Sequence, residues 1–107
     1  MMISFQEFKK LEIKVATIKE VKDHPKADKL YLLKIDTGSA EKQIVAGIKK
    51  SYQPNDLVGK QIVLVDNLEP ASIRGEMSQG MLLAVEDEQG ISIIIPERKV
   101  KVGSSVK

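Results

Sequence analysis

Cysteine and tryptophan are absent from these 107 residues, and there is a single histidine, His24. Without a thiol there is no disulfide framework, no thiolate metal ligand and no cysteine nucleophile. One imidazole without cysteine also argues against a structural zinc site. Aromatic residues make up only 4%, namely Phe5, Phe8, Tyr31 and Tyr52. Neither sign of charge dominates: 17 Lys and Arg stand against 15 Asp and Glu, a formal net charge of +2. Such a balance does not mark a nucleic-acid binder by itself, and it does not exclude one, because the distribution of charge matters more than its sum. The apolar runs are too short to cross a bilayer. Met1 to Glu7 lacks the basic start and long apolar stretch of a signal peptide, so a cytoplasmic protein with no membrane association is expected. No repeat, low-complexity tract or Gly/Ser linker divides the chain, so one domain spanning 1–107 is expected. What is present is enough apolar material, 42%, for one real core.

Ser4 and Glu7 have the spacing of a capping box, and Phe5, Phe8 and Leu11 follow at helical intervals. A short helix over Ser4 to Lys10 is expected, laying both phenylalanines on the body. From Leu11 the apolar period is two. Leu11, Ile13 and Val15 keep one phase, Ala16 and Ile18 the other, and Val21 returns to the first. A slip inside a strand suggests a β-bulge, which bends it. Strands are also expected over Leu30 to Asp36, Gln43 to Ala46, Gln61 to Asp66, Met81 to Glu86 and Ile91 to Ile95. The last two flank a hairpin turn at Asp87 to Gly90. Tyr31, Leu33 and Ile35 share a face. Lys49 to Gly59 reads as a loop with one helical turn. A bulged first strand, several short strands and a small helical insert predict an all-β fold. The best match is a five-stranded Greek-key barrel of the OB type, although an SH3-like barrel or an open sandwich fits the pattern too.

Little of the chain suggests catalysis. His24 has no nucleophile turn to serve, and His24-Pro25 reads as a loop-shaping pair. The carboxylates are scattered, and Glu86-Asp87-Glu88 reads as a solvated turn. No cofactor and no metal is expected. The basic residues are more informative. Lys26 and Lys29 flank the loop between the first two strands, Lys49 and Lys50 open the helical insert, and Arg74 lies between the fourth and fifth strands. In OB folds those two inter-strand loops line the usual oligonucleotide face. Asp23, Asp28 and Glu76 are interspersed, so charge alone slightly favours an ordinary mixed surface. Asn67 to Met81 has no hydrophobic period and reads as a long connection, of the kind that is often functional.

Several segments in register carry a resemblance. They are His24-Pro25-x-Ala27-Asp28-Lys29-Leu30-Tyr31, Ile44-Val45-Ala46-Gly47-Ile48, Leu57-Val58-Gly59-Lys60, Asn67-Leu68-x-Pro70, Arg74-Gly75, and Ser78-Gln79-Gly80-Met81-Leu82-Leu83-Ala84. Together, from about Phe8 to the C-terminus, they resemble the tRNA-binding domain family. Its members are appended to methionyl-tRNA synthetases, stand alone as tRNA-binding proteins, or occur in synthetase-associated cytokine precursors. The resemblance implies an OB barrel over about 11–90 that binds tRNA by shape, largely without sequence preference, and has no catalysis of its own. It implies support of an aminoacyl-tRNA synthetase, the methionyl enzyme first. It also implies a homodimer built by a C-terminal β extension over about 91–107, whose apolar Ile93, Ile95, Val100 and Val102 exceed what a five-stranded barrel needs.

Carried over by position, the implied tRNA contacts are Lys29, Asn67, Arg74, Ser78 and Met81, with Lys49 added from the basic insert. Lys29 and Arg74 would neutralise phosphates, and Asn67 and Ser78 would hydrogen-bond backbone or ribose. Met81 would offer a pliable apolar contact, or stand as core at the start of its strand. Ala71 and Ser72 depart from relatives, which often carry basic residues there. A secretion-related, peptide-binding chaperone with the same dimeric barrel is the alternative. Those chaperones share the Ser-x-Gly-Met segment but generally lack the His24 to Lys29 loop. With Phe5, Phe8 and Tyr31 assigned to packing, only Tyr52 is left for stacking. The expected mode is therefore recognition of folded RNA through backbone and shape.

Overall fold

A computed structural model describes residues 1–107. The sequence of elements is α1 (Phe5–Phe8), β1 (Ile13–Asp23), β2 (Tyr31–Asp36), β3 (Glu41–Ala46), α2 (Pro54–Leu57) and β4 (Gln61–Val65). β5 (Ala71–Ile73), β6 (Glu76–Ser78), β7 (Met81–Leu82), β8 (Ala84–Asp87) and β9 (Gly90–Ile93) complete it. Five strands form one antiparallel sheet in the order β3-β2-β1-β4-β7, while β5–β6 and β8–β9 are separate ribbons. This is the expected OB-like all-β architecture: a curled sheet with a helical turn between β3 and β4. No helix is long and apolar enough to cross a membrane.

The sheet curls because β1 is long and bent. The bulge lies between Ile18 and Glu20, where the register with β2 shifts and the apolar phase returns from Ile18 to Val21. The phase slip at Val15–Ala16 has another cause, which is that β1 is buried on both faces. Ala16 and Ile18 point into the main core with Leu33, Ile35, Ile44, Ile62 and Leu64. Ile13 faces a second cluster with Val63 and Val65, packed by Phe8, Leu83 and Val106. β4 therefore reads as a continuous apolar run, the signature of a strand covered on both sides.

The cover over the second cluster comes from both ends of the chain. The capping box at Ser4 and Glu7 forms as expected, and Phe8 packs down, but Phe5 remains 72% exposed. The C-terminal tail is not a β extension. It runs irregularly along β1, with a single bridge pairing Ser105 to Lys14. Its backbone is fixed by bonds between Val15 and both Ser104 and Gly103, and from the Val106 amide to the Ile13 carbonyl. At Gly103 (φ +89) a Cβ would come 2.9 Å from the Thr37 carbonyl oxygen, so only glycine lets the tail lie this close to the β2–β3 turn. Ile93 sits inside the main core, 8% exposed, so the packed barrel extends into the segment expected to serve dimerisation.

The barrel closes between β3 and the β5–β6 ribbon, through side chains more than through a strand ladder. The Gln79 amide donates to the Gln43 carbonyl (2.8 Å), and the Gln43 amide donates to Gln79 Oε1 (3.0 Å). Ser78 Oγ accepts from the Val45 amide (3.0 Å) and donates to the Gly80 carbonyl (3.0 Å). The outward amides of Gln43 and Val45 and the Gln43 carbonyl on the β3 edge are thereby satisfied.

Asp66, just beyond β4, ties three segments together. Its carboxylate meets Lys42 Nζ at 2.7 Å and Lys14 Nζ at 3.1 Å, and its amide donates to the Glu12 carbonyl at 2.8 Å. Burial pushes the Asp66 carboxyl up, but the two ammonium groups outweigh that effect and hold it below its ordinary value of 3.8. Its contribution to stability is therefore complete above that value and is lost as pH falls through the lowered native pKa. Asp66→Ala is expected to cost about 2 kcal/mol at neutral pH. Urea unfolding followed from pH 6 to pH 2 should show a smaller acid-dependent loss in the variant. An equal loss in both proteins would remove this role from Asp66.

Candidate nucleic-acid interface

The loop between β1 and β2 and the tip of the β5–β6 hairpin are far apart in sequence and adjacent in space. The hairpin turn is Arg74-Gly75, with φ of +54 and +90, the left-handed pair of a two-residue type I′ turn. The connection from Asn67 to Met81 is thus a compact hairpin. Its strands, three residues each, are too short to show a period.

His24 joins the two segments. It is 5% exposed, and its Nε2 lies 2.9 Å from the Ile73 carbonyl oxygen, while Nδ1 accepts from the Lys26 amide at 3.0 Å. A carbonyl can only accept, so this pattern assigns the proton to Nε2 and leaves Nδ1 as acceptor. The histidine is structural, as expected, and it sets where the cationic groups stand. Arg74 adds a second link, donating from Nη2 to the Lys26 carbonyl at 3.1 Å.

The result is an open cleft of about 450 Å³ lined by Lys26, Ala27, Asp28, Lys29, Leu30 and Arg74. Lys26, Lys29 and Arg74 are exposed and make no ion pair within 4.0 Å, unlike Lys14, Lys22, Lys34, Lys42 and Lys49. The cleft holds no aromatic ring, so it offers point charges and a guanidinium fork suited to phosphate rather than a stacking platform.

The expected site residues divide into two groups. Lys29 and Arg74 line the cleft, and Lys26 belongs with them. Lys49 stands beside them, its amide bonded to the Lys29 carbonyl, but its ammonium is paired with Asp23 at 3.2 Å. Asn67 and Ser78 are occupied elsewhere. Asn67 accepts from the Glu12 amide (2.8 Å) and donates to the Lys10 carbonyl (2.7 Å), fastening the N-terminal segment. Ser78 is buried in the barrel seam. Their polarity is explained by backbone groups of this chain. Met81 is 49% exposed and lines a separate groove of about 260 Å³ with Leu68, Ile73 and Val45. Of the expected interface residues in the tail, Ile95 is 52% exposed, Val100 and Val102 are half-buried, and Ile93 is core.

The family model for the tRNA binding domain matches residues 13–105. The chain belongs to that family. It is 47% identical to the methionine–tRNA ligase of Pyrococcus horikoshii over 105 residues, which is 98% of this chain and 14% of that enzyme. It thus spans about one seventh of the length of such relatives. Among solved structures it resembles a MetRS related protein from Pyrococcus horikoshii (TM-score 0.92, 35% identity, covering 100% of this chain and 99% of the other). It equally resembles the CsaA chaperone protein from Picrophilus torridus (TM-score 0.93, 31% identity, covering 99% and 100%).

His24→Ala removes both imidazole bonds and is expected to cost about 1–2 kcal/mol of stability. Amide exchange should accelerate at Lys26 and across residues 73–76. Unchanged exchange there would refute the clamp.

Proposed function

We propose that this domain binds tRNA through its phosphate backbone and folded shape, largely independently of sequence, in support of an aminoacyl-tRNA synthetase of the methionyl type. One observation carries the reading: in a domain of this family, three cations free of ion pairs converge on one open cleft held in place by His24. The scarcity of free aromatic rings favours backbone over base recognition. In this reading residues 1–107 act as one non-catalytic, cytoplasmic binding domain, without cofactor. Lys29 and Arg74 neutralise phosphates, with Lys26 beside them and Lys49 as an accessory cation. Met81 makes an apolar contact, and Asn67 and Ser78 act indirectly by holding the scaffold.

A homodimer completes the proposal. Val85, Ile94 and Ile95 leave apolar side chains exposed along and just after the β8–β9 ribbon. Pairing two copies there covers them and doubles the charged surface, which multiplies a modest affinity per subunit. Ile95→Asp is expected to shift the elution volume in gel filtration toward the monomer. Unchanged elution of a dimer would place the interface elsewhere.

The chaperone reading has its own supporting observation, the similarity to CsaA together with the exposed Leu68, Met77 and Met81 beside the hairpin. That groove is the smaller of the two clefts and carries little charge. The two readings separate in one comparison. For tRNA, binding should weaken steeply between 50 and 200 mM salt. Arg74→Ala and Lys29→Ala should each lower affinity several-fold and reduce the salt slope by about one. Lys34→Ala, whose ammonium is already paired with Glu20, should change little. Absence of tRNA binding together with suppressed aggregation of an unfolded client would reverse the conclusion.

A further inference from the structure

A second basic cleft lies where the tail meets the start of β4. Its volume is about 300 Å³, and its charged lining is Lys60, Arg98, Lys99 and Glu97. None of these four takes part in an ion pair within 4.0 Å. Together, the two clefts hold six basic side chains against two acidic ones, in a chain whose total is only +2. The rest of the molecule is therefore net acidic, and the two clefts carry an excess of positive charge.

The second cleft is built rather than accidental. Gln61 makes a two-way clamp with the tail: its Nε2 donates to the Val100 carbonyl (2.6 Å) and its Oε1 accepts from the Val100 amide (3.0 Å). This pins the segment carrying Arg98 and Lys99 against β4. Arg98 gives one nitrogen, Nη1, to the Lys99 carbonyl (3.1 Å), which leaves the rest of its guanidinium unassigned. At Gly59 (φ +91) nothing lies within 4 Å of a would-be Cβ, so that side of the cleft is open.

The two clefts are also linked. From Lys29 the path runs through its carbonyl to the Lys49 amide, then to the Lys49 ammonium 6.0 Å from the centre of the Tyr31 ring. The Tyr31 hydroxyl donates to the Tyr52 carbonyl at 2.7 Å, and the Lys60 ammonium lies 5.6 Å from the centre of the Tyr52 ring. Each tyrosine thus carries a cation at its ring, and each hydroxyl is hydrogen-bonded, with Tyr52 Oη accepting from the Ile93 amide. Tyr31 is buried and Tyr52 half-buried, so neither ring is a fully open platform.

We infer that the RNA footprint extends past Lys49 to Lys60, so that Lys60, Arg98 and Lys99 form a second phosphate-contacting cleft for the same RNA molecule that Lys29 and Arg74 engage. The inference rests on the proposed RNA-binding function and adds the tail to the binding surface. Ile95 lines the same cleft, so pairing of copies through that residue sets two such clefts beside the interface.

The test is binding of bulk tRNA to the whole chain, measured as a function of salt. It compares the unsubstituted protein, Arg98→Ala/Lys99→Ala and Lys29→Ala/Arg74→Ala, with urea unfolding to confirm that each variant is folded. The tail variant is expected to lose about tenfold in affinity and to lower the salt slope by about two. Saturating tRNA should also protect the Lys60 and Lys99 amines from chemical acetylation. If the unsubstituted protein binds and the tail variant matches it in affinity and slope, with Lys60 and Lys99 unprotected, the second cleft is refuted while the first stands. If the unsubstituted protein binds no tRNA, both readings fall.

Discussion

Double-sided burial of β1 is the constraint on which the rest depends. A strand that buries Ala16 and Ile18 on one face and Ile13 on the other needs material on both sides. The curled sheet supplies one side. The second is supplied by whatever lies outside the barrel, here Phe8 from the N-terminal turn and Val106 from the tail. The tail is consequently held by backbone bonds to β1 and by the close approach of Gly103 to the β2–β3 turn, and its basic residues acquire fixed positions. Packing on the outer face of one strand thus places charge at the surface.

The electrostatics sort the lysines by role. Lys14 and Lys42 are committed to Asp66, where they hold β1 and β3 to the end of β4. Lys22 and Lys34 share Glu20 on neighbouring strands, where exposed pairs contribute little. The cations of the β1–β2 loop, the hairpin tip and the tail are among those left without a carboxylate. A nearly neutral chain can therefore present a directional positive surface.

Much of the fold could be read in the sequence, because local signals and packing agree there. The Ser4–Glu7 box, the alternating face of Tyr31, Leu33 and Ile35, the turn before Gly59 and the hairpin near Gly90 all appear where their patterns indicate. The apolar slip at Val15–Ala16 was ambiguous in principle, since two-sided burial and a bulge give the same one-dimensional pattern. The β5–β6 hairpin was hidden because its closure uses the side chains of Gln43, Ser78 and Gln79, which have no hydrophobic period. For the same reason Asn67 and Ser78 have the residue types of ligand-binding groups but are used by this chain's own backbone. Lys29 and Arg74 were legible because their loops occupy the customary places of the barrel. Arg98 and Lys99 were not, because the bond from Gln61 to Val100 that brings the tail beside Lys60 leaves no trace in local sequence.

The two ends of the described chain lie side by side. Val106 bonds to Ile13 and packs with Phe8, and Phe5, Leu11 and Lys107 border the same hollow. A polypeptide joined at either end would approach through one small region, so the barrel would hang from its attachment like a fitting on a single stalk. Tension between the two ends would load the few bonds between the tail and β1 first.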